Sequence, residues 1–518
     1  MSNTLSLYQA RWSFDSALDL YRLEGIVYCQ NPDTPHLQCL NLYVPSAYMT
    51  ESGEINRGAQ MMNYTASTAP IVFENCIGGY SEAEPISIDH PRSQGMQYLR
   101  AGLVYVTVGA RGKQTTKEGR FVGKAPIGLV DLKAAVRFLK HNRAYIAGDT
   151  ERIISTGVSA GGAMSSLLGV TANNPSYDSY LVQSGAITSE TDDVFAAQCY
   201  CPIIDLEHAN MAYEWMFQGM YHAEGRPGIV QGGDFSPFQC ALSDVLAKMY
   251  LTYFNSLCVL HPATASALSI DDGGRSGSGY DYLMEVMNAA ITKHLVMLQS
   301  GLLPVNYTVD DYLDGAYTEM VPDSSAARPN MPPPMVQRKG NAKRAWLTWD
   351  GKSAAISSLD AFLQSELPRL KPCTSFDALD LTQAENQVFG RDAADYVHFD
   401  THTFTALQVL ADDYPKEFAR YYDAFLADTS NDQLKHRIDL INPLTQIEFA
   451  DSDHMAKHFR VRVGTHDPHT SFTMAMLLAL TVKAKGCSTV DYAMVWDEDH
   501  GPADYKSEFV DWIQSIAT

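Results

Sequence analysis

The sequence predicts an α/β fold with a doubly wound, mostly parallel sheet, and three observations carry that prediction. Short β-branched runs alternate with helix-like segments over residues 1–205, the alternation lapses over 206–440, and it returns over 441–518. Gly157-Val-Ser-Ala-Gly161 joins a strand-like run, Arg152–Thr156, directly to a helix start at Ala163–Gly169. The chain is 518 residues long with 46% apolar and 19% charged residues, enough to bury a large core and ordinary for a globular protein.

Taken in order, Leu40–Pro45, Ala69–Glu74 and Gly102–Val108 read as strands. Gly128–Lys140 reads as an amphipathic helix, with apolar residues at 129, 132, 135, 136 and 139 on one face. Gln198–Asp205 supplies a further strand and closes the first segment, 1–205. The second, 206–440, is dominated by Met- and aromatic-rich helical stretches such as Met211–Tyr221 and Leu242–Leu260. Connectors Asp271–Gly279 and Ser324–Arg344 interrupt it. It reads as one large, mainly helical insertion lying over the sheet as a lid. In 441–518, Phe459–Gly464 and Thr489–Trp496 are strands, while Ser471–Val482 and Asp504–Ile516 are helices.

The formal charge of −22 would repel a nucleic acid or an anionic membrane surface, so neither is expected as a partner. The first residues lack the basic and apolar regions of a signal peptide, and Phe472–Val482, the longest nearly unbroken apolar stretch, is too short to span a bilayer. Nine scattered cysteines, with Cys199-Tyr-Cys201 too tight for a C-x-x-C motif, suit reduced thiols in a cytoplasmic protein. His398-x-Asp400-x-His402 and His466-x-x-His469 lack the H-E-x-x-H arrangement or cysteine pairs of a zinc site, so no metal is expected. Gly351-Lys-Ser353 lacks the upstream glycine of a phosphate loop. No cofactor is expected, and the sequence does not define the oligomeric state.

Gly157-Val-Ser159-Ala-Gly161 has the form of a nucleophile elbow, a sharp strand-to-helix turn that exposes the serine. A serine hydroxyl needs a base within hydrogen-bond reach and a third group to orient that base. In α/β-hydrolases these follow in the order Ser, acid, His, in loops after the last strands. Asp467 follows the strand ending at Val463 and His500 follows the strand ending at Trp496, so Ser159, Asp467 and His500 form the candidate triad. Asp497 and Asp499 are rival acids but stand too close to His500 in sequence; His466 and His469 are rival bases in the loop where the acid belongs. The oxyanion donors expected are the amide of Ala160 and amides of the Gly78-Gly79 loop after an early strand.

With these residues in place the chain resembles the bacterial tannase-like esterases, which include tannases and feruloyl esterases. Ile26–Pro32, Leu40–Tyr48, Gly78-Gly-Tyr80, the Ser159 elbow and the Asp467 and His500 loops carry the resemblance. It implies an α/β-hydrolase with a helical lid, and it implies that Lys371 and Glu385 grip phenolic hydroxyls. It also implies a second Asp two residues after the triad Asp, where this chain has His469. A neutral imidazole offers one donor and one acceptor where a carboxylate offers acceptors alone, which moves the expected substrate from gallates toward hydroxycinnamoyl or simpler aryl esters. The expected function is therefore a serine esterase acting on a small-molecule ester of a phenolic acid through an acyl-enzyme. The rivals are a general short-chain carboxylesterase, a serine peptidase on the same fold and a hydrolase-fold binding protein without turnover.

Overall fold

The computed structural model describes residues 5–8, 10–226, 230–322, 335–340 and 342–517. Nine strands form one sheet: β1 (Ser13–Asp15), β2 (Leu20–Val27), β3 (Cys39–Pro45), β4 (Ile71–Asn75), β5 (Val104–Val108), β6 (Ile153–Val158), β7 (Ala196–Tyr200), β8 (His458–Gly464) and β9 (Thr489–Val495). Their spatial order is β1-β2-β3-β5-β4-β6-β7-β8-β9. The first three strands and the β3–β5 pair run antiparallel, and β5 through β9 are parallel neighbours throughout. Strands β5 and β7 are buried at every residue, as expected where helices cover both faces of a parallel sheet.

Helices α1 (Gly95–Arg100), α2 (Ile127–His141) and α3 (Ala160–Val170) cross between the early strands. All eleven residues of α3 are buried, and Ala160–Val170 accordingly carries no charged residue on any side rather than an amphipathic pattern. Two strands beyond the predicted set, β1 and β2, make an antiparallel edge. The strand expected over Gln198–Asp205 is instead Ala196–Tyr200, because residues 201–205 turn away, with Cys201 and Asp205 at positive φ. The final helix begins at Glu508, four residues later than expected from Asp504.

After β7 the chain leaves the sheet and returns only at β8. Helix α4 is Leu206–Met216 and α5 is Pro237–Ser256, each earlier than the sequence pattern suggested. For α5 the reason is local: Ser236 and Gln239 form a reciprocal capping box with Pro237 in the first turn. The expected Asp271–Gly279 connector ends where helix α6 (Ser278–Gln299) begins. Residues 324–334 and 341 of the second connector lie outside the described residues. The excursion also holds two-stranded hairpins, such as Leu347–Trp349 with Ala354–Ile356. Its two ends are fastened to each other: Asn442 Nδ2 donates to Asp205 Oδ1 at 2.6 Å. No helix among the described residues is long and apolar enough to cross a membrane.

Candidate active site

Ser159 sits between β6 and α3 at φ 63° and ψ −123°, a conformation that costs an ordinary residue about 1–3 kcal/mol and persists only where surroundings enforce it. Three backbone bonds do so. Ser159 N donates to Tyr200 O at 2.9 Å, and Ser159 O accepts from Ala163 N at 3.0 Å and Ile203 N at 3.2 Å. A Cβ on Gly157 would lie 2.5 Å from both Asn75 Nδ2 and Gly161 O, so a side chain there would push the elbow open. Asn75, at the end of β4, straps the turn. Its buried Nδ2 lies 3.0 Å from each of Thr156 O, Gly161 O and Ser165 Oγ.

The loops after β8 and β9 meet at Gly464. A Cβ there would overlap the Glu498 carbonyl at 2.0 Å, and the next turn is tied by His466 N donating to Glu498 O at 2.9 Å. Asp467 is fully buried and its Oδ2 lies 2.7 Å from His500 Nδ1, while Oδ1 accepts from His469 N at 2.9 Å. Burial works to raise the Asp467 carboxyl, but His500 and His469 together outweigh it and hold the group below the usual carboxylate range. Cys201, in the turn after β7 whose backbone bonds Ser159, points its buried Sγ at Gly501 O, 3.4 Å away. Cys201, Asp467 and His500 have ligand-type atoms within 4.8 Å of one another, the only such trio of potential metal donors among the described residues.

The rival residues have other partners. Asp497 receives the Tyr312 hydroxyl at 2.9 Å, and His466 Nδ1 is 3.6 Å from Asp497 rather than beside Asp467. His398 pairs with Asp377 at 2.7 Å, and Asp400 caps the helix beginning at Thr401, so the 398–402 motif is taken up structurally.

Gly78 and Gly79 are exposed, and among the described residues the N–H groups of Gly78, Gly79 and Tyr80 have no hydrogen-bond acceptor. Tyr80 anchors the loop by donating its hydroxyl to Ile203 O at 2.8 Å. Lys113 Nζ, itself buried, donates to Gly79 O at 2.6 Å. Asn75, Cys201 and Lys113 escaped the sequence reading. The glycines of Gly109-Ala-Arg-Gly112, after β5 and so at the same sheet edge, were the one signal that could have drawn attention to Lys113.

Lys371 is buried. The Glu214–Arg369 ion pair at 2.6 Å positions it, since Arg369 Nε donates to Lys371 O at 2.8 Å and Lys371 N donates to Tyr213 OH at 3.2 Å. Its ammonium lies 3.7 Å from the Phe376 ring centroid. Burial lowers its pKa, against the raising effects of Glu385 and Asp467. Glu385 is half-buried in the turn Ala384–Gln387 and acts electrostatically on both Lys371 and Lys113. His469 stacks obliquely on His500, ring centroids 4.5 Å apart. Burial, with help from His500, pushes its pKa down to about 3, so it is neutral at ordinary pH. A cleft of about 1130 Å³ opens beside the Lys371 segment, lined by Arg226, Phe235, Pro372, Cys373 and Gln383 among others but not by Ser159 or His500.

The described residues thus present a strained serine at the β6–α3 turn, an imidazole hydrogen-bonded to a buried aspartate, and glycine-loop N–H groups without an acceptor. Residues 87–215 match the family model described as BD-FAE. The tannin acyl hydrolase of Lactobacillus plantarum is 30% identical in sequence and superposes with a TM-score of 0.77, covering 96% of this chain and 94% of that one. The Fusobacterium nucleatum tannase is 27% identical with a TM-score of 0.79, covering 99% and 100%. Esterase LipQ of Mycobacterium tuberculosis is 33% identical over 97 residues, 19% of this chain and 22% of its own length. The chain therefore belongs to the bacterial tannase-like esterases of the α/β-hydrolase fold, and it is a carboxylic ester hydrolase.

Proposed function

We propose that the protein hydrolyses esters of phenolic acids through an acyl-enzyme on Ser159. The observation that carries this reading is the 2.7 Å Asp467–His500 bond, formed beside the turn that holds Ser159. With Asp467 accepting at Nδ1, the proton of neutral His500 sits on that nitrogen and the Nε2 lone pair is free to act as base. Ser159 Oγ attacks the ester carbonyl as His500 Nε2 takes its proton. The tetrahedral oxyanion is met by the amide of Ala160 and by amides of the Gly78–Tyr80 loop. Collapse expels the alcohol with the proton from His500, and water then repeats the sequence to release the acid.

Lys371, Glu385 and His469 are assigned to the acyl ring, with residues 206–440 as the lid over it. Lys371 donates and Glu385 accepts, as a phenol cluster requires. His469 brings no carboxylate to that cluster, which favours hydroxycinnamoyl over galloyl esters. The test is initial-rate hydrolysis of methyl ferulate, methyl gallate and 4-nitrophenyl butyrate, with Ser159→Ala alongside. Aromatic esters turned over fastest by an enzyme that the substitution silences would support the reading. Cleavage of the butyrate alone would leave a short-chain carboxylesterase and remove the ring-binding roles.

A further inference from the structure

Lys113 stands between two parts of the site without belonging to the Ser–His–Asp set. It follows β5 in Gly109-Ala-Arg-Gly-Lys113, and its backbone is pinned to the glycine loop by Lys113 N donating to Tyr80 O at 2.9 Å. Its buried ammonium spends one donor on Gly79 O at 2.6 Å. The same stretch is anchored to the Glu385 turn from the other side. Gln114 Nε2 lies 3.1 Å from Gln387 Oε1, Ala125 N donates to Val388 O at 3.0 Å, and Lys124 Nζ donates to Gln387 O at 2.7 Å. Residues 113–125 therefore tie the glycine loop to the segment that carries Glu385.

A buried amine so placed is costly to keep charged. Burial lowers its pKa, and Glu385 and Glu82 work in the opposite direction. The peptide it touches is the Gly79–Tyr80 unit, whose carbonyl faces Lys113 and whose N–H, on the opposite side of the planar unit, has no acceptor among the described residues. A cation hydrogen-bonded to a peptide oxygen fixes the plane and makes the N–H of that unit a stronger donor.

We propose that Lys113 is a positioning residue for transition-state stabilisation: its ammonium orients and polarises the Gly79–Tyr80 peptide as an oxyanion donor. The inference rests on reading Gly78–Tyr80 as the oxyanion loop. It predicts a defect in the chemical step that is the same for every ester, because the oxyanion is common to all of them.

The experiment compares Lys113→Met, Lys113→Gln and Lys113→Arg with the wild type on methyl ferulate and 4-nitrophenyl butyrate. Binding of phenylboronic acid, a probe of the tetrahedral state, and of free ferulate is measured alongside. Lys113→Met is expected to lose roughly 10- to 100-fold in kcat on both esters with KM within about twofold. Phenylboronic acid affinity should fall by a similar factor and ferulate affinity should hold. Lys113→Arg should recover most of the rate, and Lys113→Gln, which keeps a donor but no charge, should not. A loss confined to ferulate with a raised KM would place Lys113 in the ring site and overturn the proposal, as would full kcat in Lys113→Gln. If Lys113→Met does not fold, the Gln and Arg variants decide. If the wild type cleaves only the butyrate, the phenolic reading fails while the butyrate arm still tests Lys113.

Discussion

Cys201 Sγ lies 3.4 Å from the carbonyl oxygen of Gly501, the residue that follows His500. One thiol thus ties the turn that holds the Ser159 backbone to the loop that carries His500. Its position also makes it unreactive as a nucleophile: burial, reinforced by the neighbouring Asp467 charge, raises its pKa well above that of a free thiol. Iodoacetamide should leave Cys201 unmodified in the folded enzyme, by mass spectrometry of the labelled peptides. Cys201→Ala should cost a few-fold in kcat by loosening the His500 loop. Rapid alkylation of Cys201 with full retention of fold would contradict the packing described.

Asp467→Asn should lower kcat by roughly 10³- to 10⁴-fold while the fold and KM are kept. The amide can present its NH2 to Nδ1 and so stabilise the wrong imidazole tautomer. Steady-state kinetics with circular dichroism on the same sample check this. A loss under tenfold would mean that Asp467 does not orient the base.

Two histidines predict an acid-labile fold. Burial pushes His466 down to about 4 and His469 down to about 3, while an unfolded histidine titrates near 6.5. Between those values the unfolded chain binds the extra protons, so stability is complete above about pH 6.5 and declines as pH falls toward 4 and 3. The melting temperature should drop across that window, and His469→Gln should flatten part of the slope. A melting temperature independent of pH from 7 to 4.5 would remove this account.

His469→Asp places a carboxylate where the resemblance implies one. Hydrolysis of methyl gallate should improve relative to methyl ferulate, by roughly the 10-fold or more that one well-made polar contact provides. The ratio of kcat/KM values reads it directly, and an unchanged ratio would show that position 469 does not meet the ring.

Asn75→Ala removes the amide that lies 3.0 Å from Thr156 O, Gly161 O and Ser165 Oγ. The loss should destabilise the protein by about 1–3 kcal/mol, since these buried oxygens are left with fewer donors. It should also depress kcat more than KM, because the elbow that Asn75 holds carries Ser159. Chemical denaturation paired with kinetics separates the two effects; neither changing would deny Asn75 its strap role.

The parts of this architecture that local sequence encodes were readable in advance. The elbow shows itself because glycines at 157 and 161 flank a serine between a β-branched run and a small-residue helix. Asp467 and His500 show themselves because each follows a strand, and the structure joins them. What local pattern does not encode is contact at a distance. Asn75 reaches Ser165 across 90 residues, and Cys201 reaches Gly501 across 300. No periodicity marks such a residue. Strand β1 is only three residues long, and β2, interrupted by a register shift between Leu23 and Ile26, lacks a clean alternation. The boundaries of α4 and α5 went astray for a related reason, since capping and the turn at 201–205 outrank the apolar pattern.

The register of β7 on β8 pairs Gln198 with Arg460, 262 positions apart, whereas β8 and β9 pair His458 with Thr489 at a separation of 31. Closing the longer loop costs about 2 kcal/mol more in chain entropy than closing the shorter one. The Asp205–Asn442 bond offsets part of this by drawing the ends of the excursion together once it has folded. On the ribosome, the interval between making β7 and making its partner is roughly 15–50 s at ordinary elongation rates. Through that interval Ala196–Tyr200, buried at all five positions in the finished sheet, is an open apolar edge. The nascent chain is thus most exposed to mispairing at this one strand, and its vulnerability ends only when residues 458–464 emerge.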